Sequence, residues 1–573
     1  SLFLCDFMGR NRHEFYRHPL SLPLFLFWLW GLISALFSAH RAQSLNSYVI
    51  ITSSAIFFYL ILYTLKDHRG KRIIFDILIL ASIYISALSI LQYMGLFRME
   101  DRFSTTSGPL PKVAIYSTIG NPNFIGSFLI GIAPIIIASI LISNLTKRII
   151  YIAGLVLLLV AIIILRSKGS YVGLIFSSLF LFWLLTKIYR KRRLIIWFLI
   201  SFTVISIFSI FLLSILLPGG MTPIYQELKG ITLEHPTIKG RLLIWHTGLL
   251  MVRDNLILGV GPGAFGNYYQ SYRAKIFDNI PDSASVYPDD PSYGEETHAH
   301  NEYIQAASET GIIGLVLFLW LIYRSIKGGL MLFNSITDRK ERLMVAGMIC
   351  GIIAILTHSL VEFPLHLPAT GMLFWLILGI LFSMPFNNAD LLEKVRPNWD
   401  ITRFEFYVKR RALSHLVSLA ILIIGCILGL YFSRVMMMET LKRDAWTFMN
   451  EGKWHEAINK LTEGIEISLV EDEALHFYMG VSYTQTGRYE ESIDEYKIYY
   501  AINPDFQVLY NIGVIYHRSK RYDLAKDYYL SSLRFKPSLW EAYLRLAEIC
   551  TETGEMRCAS EYYQKARRIN PGL

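Results

Sequence analysis

Charge is what this sequence has least of. Only 17% of its 573 residues are Asp, Glu, Lys or Arg, where a soluble protein carries about 25%. That shortfall, beside 53% hydrophobic residues gathered in long runs, excludes an ordinary soluble enzyme and makes the chain an integral membrane protein. Cysteine is scarce too. Cys5, Cys350, Cys426, Cys550 and Cys558 form no Cys-x-x-Cys pair, which removes the common zinc and redox motifs. Cys350 and Cys426 lie in apolar runs as packing residues. Cys550 and Cys558 share the last helical hairpin and are either a disulfide, if that end is extracytoplasmic, or two free thiols. No Gly-x-Ser-x-Gly elbow, His-Glu-x-x-His or paired-carboxylate constellation is evident, which argues against proteases and zinc hydrolases. The net charge of +10 does not mark a nucleic-acid binder, because the basic residues cluster between apolar runs. The chain opens on Ser1, as a trimmed N-terminus would, and Gly9 to His18 is too polar and basic for the core of a signal peptide.

What is present in abundance is apolar runs of spanning length. A helix needs about 20 apolar residues to cross a bilayer. Candidates lie near 19–39, 48–66, 72–92, 124–144, 148–165, 170–187, 193–217, 305–324, 342–361, 365–385 and 412–433. With these spans alternating, the clusters at Arg10 to Arg17, Lys66 to Arg72, Lys147-Arg148, Arg190 to Arg193, Arg339 to Arg342 and Lys409 to Arg411 all fall on one side. The positive-inside rule makes that side cytoplasmic. The large loop from about 218 to 309, and everything after Phe432, then face outward.

From about Leu441 the pattern changes to amphipathic helices with a period near 34 residues. Gly487-Arg488-Tyr489, Lys520-Arg521-Tyr522 and Gly554-Glu555-Met556 occupy equivalent turns, with Ser492, Ala525 and Ala559 following. Gly452 and Ala457 match one unit earlier. Pro504, Pro537 and Pro571 close successive units, and Gly480 and Gly513 sit where two helices must approach closely. This resembles the tetratricopeptide repeat, whose stacked helix pairs bind rather than catalyse. The expected fold is all-α: a polytopic membrane bundle of about eleven spans over 1–433, then a repeat solenoid over 441–573.

The chemistry-bearing residues gather at the outer surface. His300 precedes an apolar helix at the water boundary, where an imidazole titrates near neutral pH and can take a hydroxyl's proton. Its alternative is a capping or hydrogen-bonding histidine. His298 supports it; a His-x-His metal site is open, but no Cys or carboxylate spacing completes one. Arg241, in Gly240-Arg241-Leu242-Leu243-Ile244-Trp245 of the large loop, is either a phosphate fork or a snorkelling side chain. Arg166 and Lys168, in an outward turn, run against the charge bias and suit an anionic ligand. Arg98, Arg102 and Lys112 could serve the same anion or be plain surface charge. Asn121 and Asn123, in Gly120-Asn121-Pro122-Asn123, form a turn with a helix cap. Gly259-Val260-Gly261-Pro262-Gly263 lacks a phosphate-loop pattern and reads as a tight turn.

Taken together, Gly120 to Asn123, Ser167-Lys168-Gly169, Gly240-Arg241 with Trp245, Gly259 to Phe265, and His298-Ala299-His300-Asn301 through Glu309-x-Gly311-x-x-Gly314 resemble the bacterial O-antigen ligases, with their relatives the O-antigen polymerases and protein O-oligosaccharyltransferases. The resemblance covers about residues 20–385. It implies a GT-C-like glycosyltransferase in the bacterial inner membrane, without metal or other cofactor. Such an enzyme moves a glycan from an undecaprenyl diphosphate carrier to an acceptor hydroxyl on lipid A-core or protein, on the periplasmic face. His300 matches the family's essential histidine, as general base or positioner of the hydroxyl. Arg241 matches an arginine that holds the diphosphate. Lys168 stands where many members have Arg, keeping the charge without the bidentate fork. His298, Asn301, Asn121, Asn123, Arg166 and Arg102 are carried along as substrate-binding candidates. The repeats are outside the ligase pattern and are expected to recruit an acceptor or a protein partner. A transporter of lipid-linked glycans is the reading from a different class; it would want mid-membrane ionisable residues and repeated halves.

Overall fold

A computed structural model describes residues 12–16, 18–65, 67–96, 115, 117, 119–189, 236–279, 296–387, 389–399, 403–407, 411–468, 472–570 and 572–573. The first six helices are α1 (Ser21–Phe37), α2 (Arg41–Thr64), α3 (His68–Tyr93), α4 (Pro122–Ile142), α5 (Leu145–Ile164) and α6 (Lys168–Ile188). The region expected as a loop contributes two helices, α7 (Pro236–Asp254) and α8 (Phe265–Asn279). Then come α9 (Glu302–Ser335), α10 (Arg339–His358), α11 (Pro368–Ser383) and the short α12 (Ala389–Trp399).

Seven of these helices, α2 to α6 with α9 and α10, are long and apolar enough to cross a membrane. The shorter α1 and α11 are equally apolar. The expected span at 193–217 lies outside the described residues. Helix starts follow local chemistry. Asn121 accepts from Asn123 N with Pro122 in the first turn, while Asn144 and Asp338 cap α5 and α10.

At the centre of the bundle α4 and α10 cross, and α6 packs on α10. The crossing is close because both helices present glycine: a Cβ on Gly351 would stand within 2.4 Å of Gly131 O. Without a hydrophobic drive between helices in lipid, small residues are what let backbones approach. Outer faces carry exposed Ile50, Ile56, Leu60, Ile175, Phe176 and Leu179, the surface a bilayer would cover.

One short pairing departs from a purely helical chain. Strands β1 (Arg12–Tyr16) and β2 (Arg403–Tyr407) run antiparallel, Arg12 opposite Tyr407, and join the segment before α1 to the one after α12. Helix α13 (Arg411–Asn450) follows as 40 unbroken residues. The boundary expected between 433 and 441 falls inside it. Its far end packs on α14 (Trp454–Ile467) as the first helix of the repeats.

The solenoid continues through α15 (Glu473–Gln485), α16 (Tyr489–Ile502), α17 (Phe506–Arg518), α18 (Tyr522–Phe535), α19 (Trp540–Glu552) and α20 (Met556–Ile569). The expected equivalent turns are equivalent in backbone: Gly452, Gly487, Lys520 and Gly554 all have φ between 57° and 82°. Gly480 meets Tyr496 and Gly513 meets Tyr529 in the same way one unit apart. Cys550 and Cys558 are bonded, tying α19 to α20.

Helix α9 is interrupted in its N-terminal third. Gly311 adopts φ 70°, ψ −177°, which frees the carbonyls of Ser308 and Glu309. Val260 N and Gly261 N donate to them, each at 2.9 Å, and Ile312 N donates to Leu256 O at 2.8 Å. The Gly259–Gly263 turn is thus stitched to the break in α9. A Cβ on Gly311 would stand 1.9 Å from Ile257 O. Gly311→Ala should cost about 1–3 kcal/mol in backbone strain and push the two segments apart. Thermal unfolding of the detergent-solubilised chain should show a clear drop in midpoint; an unchanged midpoint would refute this crossing.

Candidate active site

Three of the expected residues, Asn123, Arg241 and His300, converge around one carboxylate that was not expected. Glu362 lies in the turn between α10 and α11, with its side chain 2% exposed. Its Oε1 accepts from Arg241 Nη2 at 2.5 Å and from Asn123 Nδ2 at 2.7 Å. Its Oε2 lies 3.0 Å from His300 Nδ1. The other ring nitrogen, Nε2, lies 3.1 Å from Glu296 Oε2. Arg241, read from sequence as a loop residue, sits on α7, and a helix fixes its guanidinium better than a loop would.

The backbone around His300 is held from both sides. His300 has φ 46°, a left-handed conformation uncommon outside glycine and found where surroundings over-determine it. Those surroundings are visible. Asn301 Oδ1 accepts from Tyr303 N and Ile304 N, capping α9, while its Nδ2 donates to Leu360 O. Glu302 N donates to Ser359 O, and Glu302 Oε1 accepts from Leu365 N. Phe363 stacks flat on His298 at 4.2 Å and meets His300 edge-on at 5.0 Å.

The remaining candidates fall as follows. Lys168 is half-buried at the start of α6. The next residue, Gly169, packs so closely on the α10 end that a Cβ there would lie 2.4 Å from His358 Cδ2. Arg166 is half-buried with φ 53°. Asn121 serves as the α4 cap, and Arg102 lies outside the described residues. Glu362, Glu296, His366 and Glu302 were missed. For Glu362 a signal existed: it is the lone acid between Glu341 and Asp390, and an ionisable residue in so apolar a stretch is a site candidate by itself.

The electrostatics separate the two histidines. Burial lowers the His300 pKa, but the hydrogen bonds and charges of Glu296 and Glu362 outweigh it and raise it to about 9. Burial, then the positive His366 and His300, push His298 down to about 3. Burial also lowers His366, but its pairing with Glu302 at 2.9 Å raises it to about 9. For Glu362, burial favours protonation, while the His300 hydrogen bond and the His300 and Arg241 charges prevail and lower it. At neutral pH the site holds an imidazolium between two carboxylates, with a neutral imidazole two residues away.

The family description O-antigen ligase matches residues 153–319, a stretch that includes Lys168, Arg241 and His300. The chain carries an O-antigen ligase domain. The matched part of that domain stops before Glu362. A tetratricopeptide repeat description matches 506–539 and 541–572. A Rickettsia conorii protein provisionally named a polysaccharide ligase is 33% identical over 92 residues, 16% of this chain and 20% of that protein. The photosystem I assembly protein Ycf3 of Cuscuta gronovii is 29% identical over 123 residues, 18% of this chain and 72% of that protein. A crystal structure of MamA aligns at 21% identity over 23% of this chain and 78% of that one, with a TM-score of 0.23, too low to carry an argument. The O-antigen ligase domain and the ligase relative together support glycan ligation by a membrane-associated enzyme.

His300 has a raised pKa, so the stability its pairing contributes is fully present below about 6.5 and is lost as pH rises through about 9. Nitrogen NMR of labelled histidine should find His300 protonated at pH 7 and His298 neutral. Glu296→Gln should lower the His300 pKa. A His300 titrating at an ordinary value in wild type would overturn this charge arrangement.

Proposed function

We propose that the chain transfers a glycan from undecaprenyl diphosphate to an acceptor hydroxyl at the periplasmic face of the inner membrane, as O-antigen ligases do. The observation that carries this reading is the shared carboxylate: Glu362 binds Arg241 and Asn123 through one oxygen and His300 through the other. A proton-accepting group and a phosphate-binding group are thereby set side by side. The orientation draws support from the basic clusters, from the β1–β2 pairing that brings two basic segments to one side, and from the Cys550–Cys558 bond, of a kind that persists in oxidising compartments.

In this mechanism Glu362 orients the His300 ring through Nδ1 and leaves Nε2 for the acceptor. Glu296 occupies Nε2 in the resting structure, so the acceptor hydroxyl displaces it. Neutral His300 then takes the hydroxyl proton on Nε2. The acceptor oxygen attacks the anomeric carbon, and the bond from that carbon to the diphosphate oxygen breaks on the opposite face, inverting the centre. The diphosphate leaves with the electron pair. Arg241, with Lys168, Arg166 and Arg102 as further cations, stabilises that departing charge. No metal is required by these steps. His298, Asn301, Asn121 and Asn123 remain the substrate-binding candidates of this scheme; in the resting structure Asn301 caps α9, Asn121 caps α4 and Asn123 donates to Glu362.

His300→Ala should lower transfer by roughly 10²–10⁴-fold with unchanged expression, and Arg241→Ala by about 10²–10³-fold. The test is deletion of the gene in its host, restored as wild type or either variant, with surface lipopolysaccharide and glycoproteins resolved on one gel. Loss of long glycan from lipid A-core identifies a ligase. Loss of a glycoprotein band identifies a protein O-oligosaccharyltransferase. Loss of chain length alone identifies a polymerase. Restoration by His300→Ala removes the catalytic reading and favours a lipid-linked glycan transporter.

Neutral His300 is the reactive form in this scheme, so activity should climb with pH toward about 9. In Glu296→Gln that climb should fall at lower pH. A pH–rate profile of the two proteins checks this; coincident profiles would count against His300 as the base.

A further inference from the structure

The repeats form part of the wall of a cavity beside His298. The cavity, of about 430 Å³, opens against Glu296, Thr297 and His298. On one side it is bounded by Asn267 and Gln270 of α8, and by Glu473, Tyr499, Asn503 and Asp505 of the solenoid. Asn267 Nδ2 donates to Glu473 Oε2 at 3.1 Å, and α8 also packs on α18. The solenoid therefore grips a helix of the ligase region and closes the cavity from outside. On its other side the cavity is apolar, lined by Leu24, Phe27, Ile50, Phe318 and Trp375. Phe318 lies beyond the Gly311 break, in the apolar part of α9.

The lining has a definite chemistry. Among the described residues it includes Glu296, Glu302, Glu309, Glu473 and Asp505 but no Lys or Arg, and the imidazolium of His366 that also lines it is already paired with Glu302. A diphosphate is repelled by such a surface, and the cations that suit it are elsewhere, on α7 and α6. A sugar is not repelled: its hydroxyls donate to carboxylates, exchange paired hydrogen bonds with amides, and its ring faces pack on aromatic residues. One lining side chain has hydrogen-bonding capacity left open. Gln270 is 4% exposed, lines the cavity, and neither its Nε2 nor its Oε1 has a partner among the described residues. A buried amide left in that state is costly, and a bound diol would satisfy it. The apolar side gives the same ligand's anchor a route toward the bilayer.

We propose that this cavity receives the uncharged saccharide end of a lipid-anchored acceptor, and that Gln270, Tyr499 and Asn503 select it. This rests on the transfer reading above and adds that the repeats choose the acceptor by direct contact.

The test uses the full chain in lipid nanodiscs. The probes are lipid A-core glycolipid, undecaprenyl diphosphate-linked glycan and a Ser/Thr-rich peptide. Asn503→Ala with Tyr499→Phe changes half-buried positions on the solenoid, and Gln270→Leu removes the unpaired amide. Each should raise the KM for the glycolipid roughly tenfold or more, with kcat within about threefold and the donor KM unchanged. A rise in donor KM instead would give the cavity to the donor and overturn the proposal. An unchanged glycolipid KM, or an effect on the peptide alone, would overturn it equally. Equilibrium binding keeps the two readings apart. His300→Ala should bind glycolipid as wild type does, while Asn503→Ala with Tyr499→Phe binds it about tenfold more weakly. Normal transfer by His300→Ala beside weakened binding by the solenoid variant would remove the catalytic reading and leave the cavity assignment standing.

Discussion

A carboxylate out of water must be met by donors, and Glu362 organises one end of this bundle by that requirement. Three separate elements answer it: Asn123 from the start of α4, Arg241 from α7 and His300 from the segment before α9. Removing one member of a buried charge cluster typically costs about 3–5 kcal/mol, because the others are left uncompensated. The packing of three chain segments and the electrostatic state of the site are therefore one property. The Gly311 break adds a second constraint, fixing the Gly259–Gly263 turn against α9 and with it the approach of α8.

Different kinds of information in the sequence had different reach. Apolar runs of spanning length and a 34-residue period are local signals, repeated many times, and the helices and the solenoid follow them closely. Gly487, Lys520 and Gly554 could be placed in equivalent turns from the pattern alone, even though one of them is a lysine. Arg241 and His300 were legible through the residues beside them. Glu362 was not picked out, although its charge in an apolar stretch was visible, because its meaning lies in partners from distant segments. Asn267 and Glu473 meeting across 206 residues could not be read at all, since nothing local to either names the other. The helices α7 and α8 were missed for another reason: a polar segment between hydrophobic runs looks like a loop until its own periodicity is weighed.

The two halves of the chain divide the work by the kind of surface each offers. The bundle supplies cations and an imidazolium–carboxylate cluster, which suit charge that moves during reaction. The solenoid adds Glu473, Asp505, Asn503 and Tyr499 to the acids and amides that the bundle side already brings to the cavity, a surface that suits uncharged hydroxyl-bearing groups. Between them α8 is held by the repeats on one side and leads into the Gly259–Gly263 turn on the other. Recognition through one half thus acts on a helix covalently continuous with the turn that abuts the α9 break.

Helix α13 has no proline and no break between Arg411 and Asn450, so it is a rod of about 60 Å at 1.5 Å per residue. With its first half in the bilayer, as the proposed topology has it, the height of the first repeat above the lipid is set by how deeply and at what tilt the rod sits. Tilt answers to hydrocarbon thickness. Bilayer thickness and the Asn267–Glu473 contact thus both bear on where the first repeat stands, one through the rod and one through α8.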